Sequence, residues 1–445
     1  MSGTANAFLQ SASRHKSKAN GHYPDWQKAL RRSAFEWVSE HGFPTGKDEA
    51  WKYTQLAPIL EIPFAPAEPS ANCLLSLDDV AKLAGEFSDL RLVFVNGYFV
   101  PELSALKNLP EGVKLCNLAS VFAEEGAALE SLLRRRLVGE RPQAFTALNV
   151  ALGEDGAFIR IPAHMVVEEP IHLVFISDPG ATPLVSHPLS MVFAGAGSRA
   201  TIVETHAGIT GGVYLSNAVT EIVLDEGAVV EHYKIQNEAE SAFHLAFMDV
   251  RQGRASRFFA LSVAVGAALA RHEVKVALEA PEAQVTLNGL YLPRGRQHLD
   301  NPTTIEHAAP HCSSRQLYKG VVDGHGRGVF DGRIVVQPGA MKTDARQTNK
   351  NLLLSASAQA YSRPRLEIFA DDVKCAHGST VGQLDDEALY YLRTRGIPQQ
   401  VARDLLTHAF VAEMLELIQV SPLRSRVQQM LAIRFADDPT AGVRA

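Results

Sequence analysis

Gly197-Ser-Arg-Ala-Thr-Ile-Val-Glu204 and, further along, Gly227-Ala-Val-Val-Glu231 read as two degenerate copies of one short unit: a glycine turn, then a β-branched run ending on an acid. Runs of the same texture surround them. They include Ile171-His-Leu-Val-Phe-Ile176, Val219-Thr-Glu-Ile-Val-Leu224, Val229-Val-Glu-His-Tyr-Lys-Ile235, Gln284-Val-Thr-Leu287, Gln316-Leu-Tyr-Lys-Gly320, Gly328-Val-Phe-Asp-Gly-Arg-Ile-Val-Val336 and Leu366-Glu-Ile-Phe369. From about Phe145 to Val381 such runs follow one another, broken by Gly, Pro and Asn, with hardly any helical period. So many short strands in series suit a right-handed parallel β-helix, which stacks coils around one continuous core. A β-sandwich or propeller is the competing architecture, but no blade-length repeat is visible. The fold class is therefore mainly β: a solenoid core over 145–382, a mixed, partly helical region over 1–144, and a helical domain over 383–445.

The flanks carry their own signals. Trp26 to Ser39 has helical spacing (Trp26, Leu30, Phe35, Val38), and Gly42-Phe-Pro44 ends it. Asn96-Gly97 between Leu92-Val-Phe-Val95 and Tyr98-Phe-Val100 predicts a β-hairpin. Arg134-Arg135-Arg136 reads as a solvated helix face. Near the C-terminus, Asp385 and Asp386 can cap a helix that Gly396 stops, Pro398 suits the first turn of a second, and Ser421-Pro422 starts a third. These helices are expected to pack on the solenoid's end as a cap. They leave Leu406, Phe410 and Met414 on a second face, more apolar surface than one interface needs; internal packing and a partner are its two uses.

Composition narrows the function classes. The 445 residues exceed one ordinary core, and a mean hydropathy of -0.04 belongs to a soluble protein. With 43 Lys and Arg against 49 Asp and Glu, the net charge of -6 offers no basic surplus for nucleic acid. Cys73, Cys116, Cys312 and Cys375 stand far apart without a Cys-x-x-Cys, so a reducing compartment is expected. The longest uncharged apolar stretch, Phe258 to Ala270, is too short for a bilayer, which takes ~20 residues. Arg14, Lys16 and Lys18 among serines faintly mimic a transit peptide, but a solvated tail is the simpler account. The chain reads as cytoplasmic, without nucleic acid or membrane as partner.

Chemistry concentrates in Asp371-Asp-Val-Lys-Cys-Ala-His-Gly-Ser-Thr-Val-Gly-Gln-Leu-Asp385. In an extended segment Cys375 and His377 point to the same side and present sulfur and nitrogen together. Gly378 is expected to turn the backbone directly afterwards. Two ligands do not complete a tetrahedral metal site, so this is half a site whose remainder comes from elsewhere. A buried structural Cys beside a surface His is the plainer alternative. A second cluster is formed by His298, Asp300, Glu306, His307, His311 and Cys312. Here Glu precedes the first His and Pro310 breaks any helix, so it is no zincin motif; His311 and Cys312 remain the weaker metal candidates. Gly42-Phe-Pro-Thr-Gly-Lys-Asp48 fails as a phosphate loop, with the glycines too close and Asp where Ser or Thr must reach magnesium. Gly195-Ala-Gly197 is only a turn, and no Gly-x-Ser-x-Gly elbow occurs. The enzyme alternative is a metal-dependent hydrolase or lyase on a β-helix using His298, His307, His311 and Cys312.

Gly339-Ala-Met-Lys-Thr-Asp-Ala-Arg-Gln-Thr-Asn-Lys-Asn-Leu-Leu-Leu354 and the segment from Ala360 through Cys375 and His377 to Asp385 resemble the SufB/SufD scaffold family of iron–sulfur cluster assembly. Asn288-Gly289 and Pro310-His-Cys-Ser-Ser-Arg-Gln-Leu-Tyr-Lys-Gly320 extend the likeness. Gly42-Phe-Pro-Thr-Gly-Lys-Asp-Glu-Ala-Trp-Lys-Tyr-Thr54 and Val93-Phe-Val-Asn-Gly-Tyr-Phe99 look like the SufD branch. One departure is Pro302, where the family usually has His. The resemblance implies a β-helix with helical ends and a non-catalytic role. It also implies a heterodimer with SufB through the β-helix, and C-terminal helices that dock the ATPase SufC, for which the second face at Leu406, Phe410 and Met414 is the expected contact. A transient iron–sulfur cluster or iron would form at the SufB interface, using a SufB cysteine and the histidine at His377; none would be held stably by this chain alone. It leaves room for a homodimer when the chain is isolated.

Overall fold

Residues 23–69, 74–122, 126–137, 143–209 and 211–436 are described by a computed structural model. Arg14, Lys16, Lys18 and Cys73 lie outside the described residues, as do the side chains of Arg135 and Arg136; Arg134 is exposed and pairs with Glu130.

The chain passes alternately between two sheets. One contains Ala157–Ile161, Leu189–Ala194, Tyr214–Leu224, Phe243–Gln252, Leu269–Leu278, His298–His307, Arg327–Val336 and Gln359–Ile368. The other contains Ile171–Ser177, Arg199–Gly208, Val229–Asn237, Arg257–Ala264, Gln284–Tyr291, Ser313–Val322, Asp344–Leu353 and Lys374–Gln383. Neighbours within each series are parallel, which gives a β-solenoid of about eight coils. Val203, Tyr233, Leu261, Asn288, Leu317, Thr348 and Gly378 are successive Cα partners, so each coil takes 27–31 residues. The two degenerate copies stack: Ala200 pairs with Val230, and Gly197 and Gly227 occupy equivalent turns with φ of 64° and 66°. There a side chain would be strained, which explains why glycine marks both turns.

Strands in the middle of the stack bury two faces. Ala200 and Ile202 face the lumen, while Val203 packs outward in another cluster. Strands buried on both sides read as continuous apolar runs rather than alternating ones. The outer face of the first sheet is covered by N-terminal residues: Leu30, Ala34, Trp51, Ile59 and Phe145 pack against Met191, Val219 and Phe247. The C-terminal helices, Asp386–Thr394, Gln399–Glu416 and Ser421–Ala436, were expected to cap the solenoid's end. Instead Val411, Met414, Leu415, Ile418, Val427 and Leu431 pack against Tyr233, Leu261, Val263 and Leu290 on the outer face of the second sheet. The rows Val203–Tyr233–Leu261 and Ile235–Val263–Leu290 form the apolar stripe that draws them to the side. Among the described residues, no helix caps the last coil.

The solenoid also begins before Phe145. Leu90–Val95 runs parallel to Ile171–Ser177, and the hairpin at Asn96 and Gly97 returns it to Tyr98–Phe99. Positive φ at both turn residues, 52° and 85°, is what an Asn-Gly type I′ turn requires. Ala144–Leu152 is a helix within the segment that showed hardly any helical period; all nine of its residues are buried, so no polar face marks the turn. Among the described residues, no helix is long and apolar enough to cross a membrane.

Candidate functional site

Cys375 and His377 lie on Lys374–Gln383, the last strand of the solenoid. Cys375 pairs in register with Ala345 and His377 with Gln347, so both continue inward-facing rows. Ala345 and Gln347 are buried, whereas Cys375 is half-buried and His377 exposed, because no further coil covers them. Burial pushes the Cys375 thiol up, so it is protonated at neutral pH. Imidazole and thiol therefore share one side of an open rung, the geometry expected of half a site. Gly378 does not turn the chain: it pairs with Thr348 and the strand runs on to Gln383. The reversal precedes the site, where Asp372 has a φ of 55°.

Among the described residues, Lys374–Gln383 pairs only with Asp344–Leu353, and Gln359–Ile368 only with Arg327–Val336. Their outer edges thus present unpaired backbone donors and acceptors, the template for another strand. Ser379 Oγ donates to Ser362 Oγ at 2.7 Å and ties the two terminal strands across the lumen. Ile368, Phe369 and Val381 are exposed on this rung, and Met341 on the turn below.

The second cluster does not assemble. His298 and His307 begin and end one strand of ten residues, ~30 Å apart at about 3.3 Å per residue. His298 meets Thr54 Oγ1 at 2.8 Å; His307 Nε2 meets Ser314 Oγ at 2.9 Å inside the solenoid. Burial lowers both imidazoles to about 4. His311 sits in a turn with φ of 61°, and Cys312 is buried with its thiol donating to the Ala280 carbonyl at 3.3 Å. Among the described residues no three His, Cys, Asp or Glu side chains are grouped to hold a metal ion. Pro302, lacking an N–H, lies where the ladder to Leu269–Leu278 skips from Asp300 to Thr303.

The partner-facing candidates divide. Met414 is 1% exposed and inside the helix–sheet cluster, so it cannot meet a partner; the apolar stripe beneath it explains the burial. Phe410 is half-buried beneath Lys319, whose Nζ lies 5.0 Å from the ring centre and donates to the Phe410 carbonyl at 2.9 Å. Leu406 is half-buried too. The exposed apolar residues of these helices are Tyr390, Tyr391, Val401, Leu405 and Ile433.

A charged cluster inside the solenoid has no counterpart in the sequence reading. Glu204 accepts from Lys234 Nζ, from His206 Nε2 at 2.6 Å, from His232 Nε2 at 3.2 Å and from Thr220 Oγ1 at 3.2 Å. Burial alone would raise its carboxyl, but the Lys234 ammonium and the imidazole hydrogen bonds outweigh burial and hold it well below the usual range. Glu238 faces His244 nearby, and His272 lines the same region beside a cavity with room for about one water. Outside the lumen, Arg271 binds Asp300 and Glu273 under the ring of Trp51. The signal was the spacing of His232 and Lys234 on alternate residues, opposite Tyr233 and Ile235.

The fold defines a parallel β-solenoid protein whose last strand carries a thiol and an imidazole on one open side. Residues 175–410 match the family described as SUF system FeS cluster assembly, SufBD core domain, and residues 4–173 match the SufBD protein N-terminal region. The chain belongs to the SufBD family of iron–sulfur cluster assembly proteins. It is 33% identical to an iron–sulfur cluster assembly SufBD family protein of Synechocystis over 91% of this chain and 90% of that one. Identity to the iron–sulfur cluster assembly protein SufD of Escherichia coli is 32%, covering 88% and 90% of the two chains. A chloroplastic protein of Arabidopsis thaliana is 29% identical over 87% of this chain and 82% of its own length.

Proposed function

We propose that this chain is a non-catalytic scaffold subunit that supplies half of a shared cluster-assembly site. The observation that carries the reading is the terminal rung: His377 and Cys375 face one side of an edge strand with free backbone groups and an exposed apolar rim. A second β-solenoid, SufB, adds to that edge as a heterodimer and contributes the missing ligands, chiefly thiolate. Thiolate and imidazole both ligate iron–sulfur clusters, and a transient cluster or iron is held only when both halves meet. Cys375 is the lesser ligand, because its half-buried thiol resists deprotonation. The ATPase SufC docks on the C-terminal helices through their exposed residues, Tyr390, Tyr391, Val401 and Leu405, with Leu406 and Phe410 at the margin.

The test is a cell line whose only copy carries His377→Ala. The three-subunit complex should co-purify at wild-type yield while the cluster content of a reporter iron–sulfur protein collapses, and Cys375→Ser should do milder damage. Undiminished reporter clusters with His377→Ala would reduce this histidine to a surface residue.

A further inference from the structure

The lumen beneath His377 holds a one-way ladder of amides. Gln316 Nε2 donates to Thr303 Oγ1 at 2.6 Å, and Gln347 Nε2 donates to Gln316 Oε1 at 2.6 Å. Gln316 and Gln347 are stacked Cα partners, with Gln316 4% and Gln347 1% exposed. Each amide therefore spends a donor on a strand earlier in the chain, and the Gln316 carbonyl oxygen is taken by the coil after it. Gln347 is the last amide. Its Oε1 is buried without a hydrogen-bond partner, and its in-register neighbour on the next rung is His377. Gly332 keeps the ladder in place from across the lumen, since a Cβ there would stand 2.2 Å from Gln347 Nε2.

An orphaned buried carbonyl oxygen is costly, about 1–3 kcal/mol, and only a donor satisfies it. An imidazole has one N–H when neutral, and giving that proton to one acceptor fixes the lone pair on the other nitrogen. We propose that Gln347 is the positioning residue of the assembly site: its Oε1 accepts the Nδ1–H of His377, leaving Nε2, the outermost ring atom, as the free ligand for iron. The inference rests on His377 being a ligand, but it concerns the ring's tautomer, which exists before any metal arrives. Metal-bound histidines generally carry such an acceptor on the second nitrogen, and its loss costs about 10–100-fold in metal affinity. The amide ladder thus transmits order from the buried coils to a terminal rung without a covering coil.

The test uses the full-length chain labelled with nitrogen-15 histidine, in wild-type, Gln347→Leu and Gln347→Glu forms, with His377→Ala to assign the signal. Wild type should show His377 mainly as the Nδ1–H tautomer. Gln347→Leu keeps the volume but removes the acceptor, and should shift the ring to the Nε2–H form. Gln347→Glu keeps an acceptor while losing the donor to Gln316, and should restore Nδ1–H; failure to restore it, or equal tautomer ratios in all three, overturns the proposal. In the complex with the SufB-type partner, Fe(II) affinity should fall about 10–100-fold with Gln347→Leu and recover with Gln347→Glu. Unchanged affinity with Gln347→Leu overturns the positioning role, whereas unchanged affinity with His377→Ala removes the underlying ligand reading instead.

Discussion

Acidification should unfold this protein well before its carboxylates titrate, because the solenoid buries histidines in their neutral form. Burial lowers His172 to about 3 and His206, His298 and His307 to about 4, against an ordinary value of 6.5. His272 is pushed well below 6.5 as well, again chiefly by burial and then by Lys234. The neighbours do not reverse this. Arg91 lowers His172 further, and Lys234 adds to burial at His206 against the pull of Glu204. At His298, Asp300 opposes burial while Arg327 and Arg271 reinforce it. Above pH 6.5 both folded and unfolded chains hold these rings neutral. Below it the unfolded chain takes up protons that the folded chain refuses, so stability falls with pH from 6.5 down to about 4 for most of them and about 3 for His172. One unit is worth about 1.4 kcal/mol per ring. At pH 5 each of the four rings costs about 2 kcal/mol, or about 8 kcal/mol together, against a total stability that is commonly about 5–15 kcal/mol. The assay is proton uptake on urea unfolding at pH 5.5, followed potentiometrically, with the urea midpoint recorded from pH 7.5 to 5. The five rings predict uptake of about four to five protons and a midpoint that drops steadily below pH 6.5. Uptake of less than one proton, with a flat midpoint, would show that these histidines titrate in the folded chain and that the lumen is wetter than its packing implies.

Two substitutions on one helix should separate packing from docking. Met414→Asp places a charge in the helix–sheet cluster and should cost more than about 3 kcal/mol, seen as a lost urea transition; Leu405→Asp, at a position 48% exposed, should leave that midpoint within about 0.5 kcal/mol while abolishing co-purification of the ATPase. Glu204→Gln removes the only carboxylate bonded to Lys234 among the described residues, and stranding that buried ammonium should destabilise the chain by about 3–5 kcal/mol at pH 7.5, measured by the same urea midpoint; an unchanged midpoint would mean that Lys234 reaches water.

Local signals survived folding because they depend on local chemistry. The Asn96-Gly97 hairpin needs only two residues that accept positive φ. The first C-terminal helix starts where Asp385 accepts from the amides of Glu387 and Ala388, and Gly396 takes a φ of 85° just beyond its end. The solenoid was legible because strand after strand recurs without an intervening helical period, and Cys375 and His377 share a side because an extended strand requires it. What the strand pattern did not show was which outward faces of the solenoid are covered. Tyr233 and Ile235 point outward yet are buried by the C-terminal helices, while His232 and Lys234 point inward and are held by the Glu204 carboxylate. A single strand cannot reveal this, because polarity marks the solvent side only when one side has solvent.

That same ambiguity decides how the site works. An inward-facing row is a property of the whole stack, so a residue's meaning depends on how many coils lie above it. Gln316 and Gln347 share a row with His377, and two of the three are sealed while the third is open. In the middle of the solenoid, a histidine in that row would be one more neutral, hydrogen-bonded core residue like His307. At the last coil His377 keeps ordered neighbours below, Gln347 and Gln316, and is exposed above. An exposed side chain on a loop would bind iron with less order, and a buried one could not reach it. The terminal rung combines ordered neighbours below with open access above, because among the described residues no helix covers it, and that combination is what supports the proposed site.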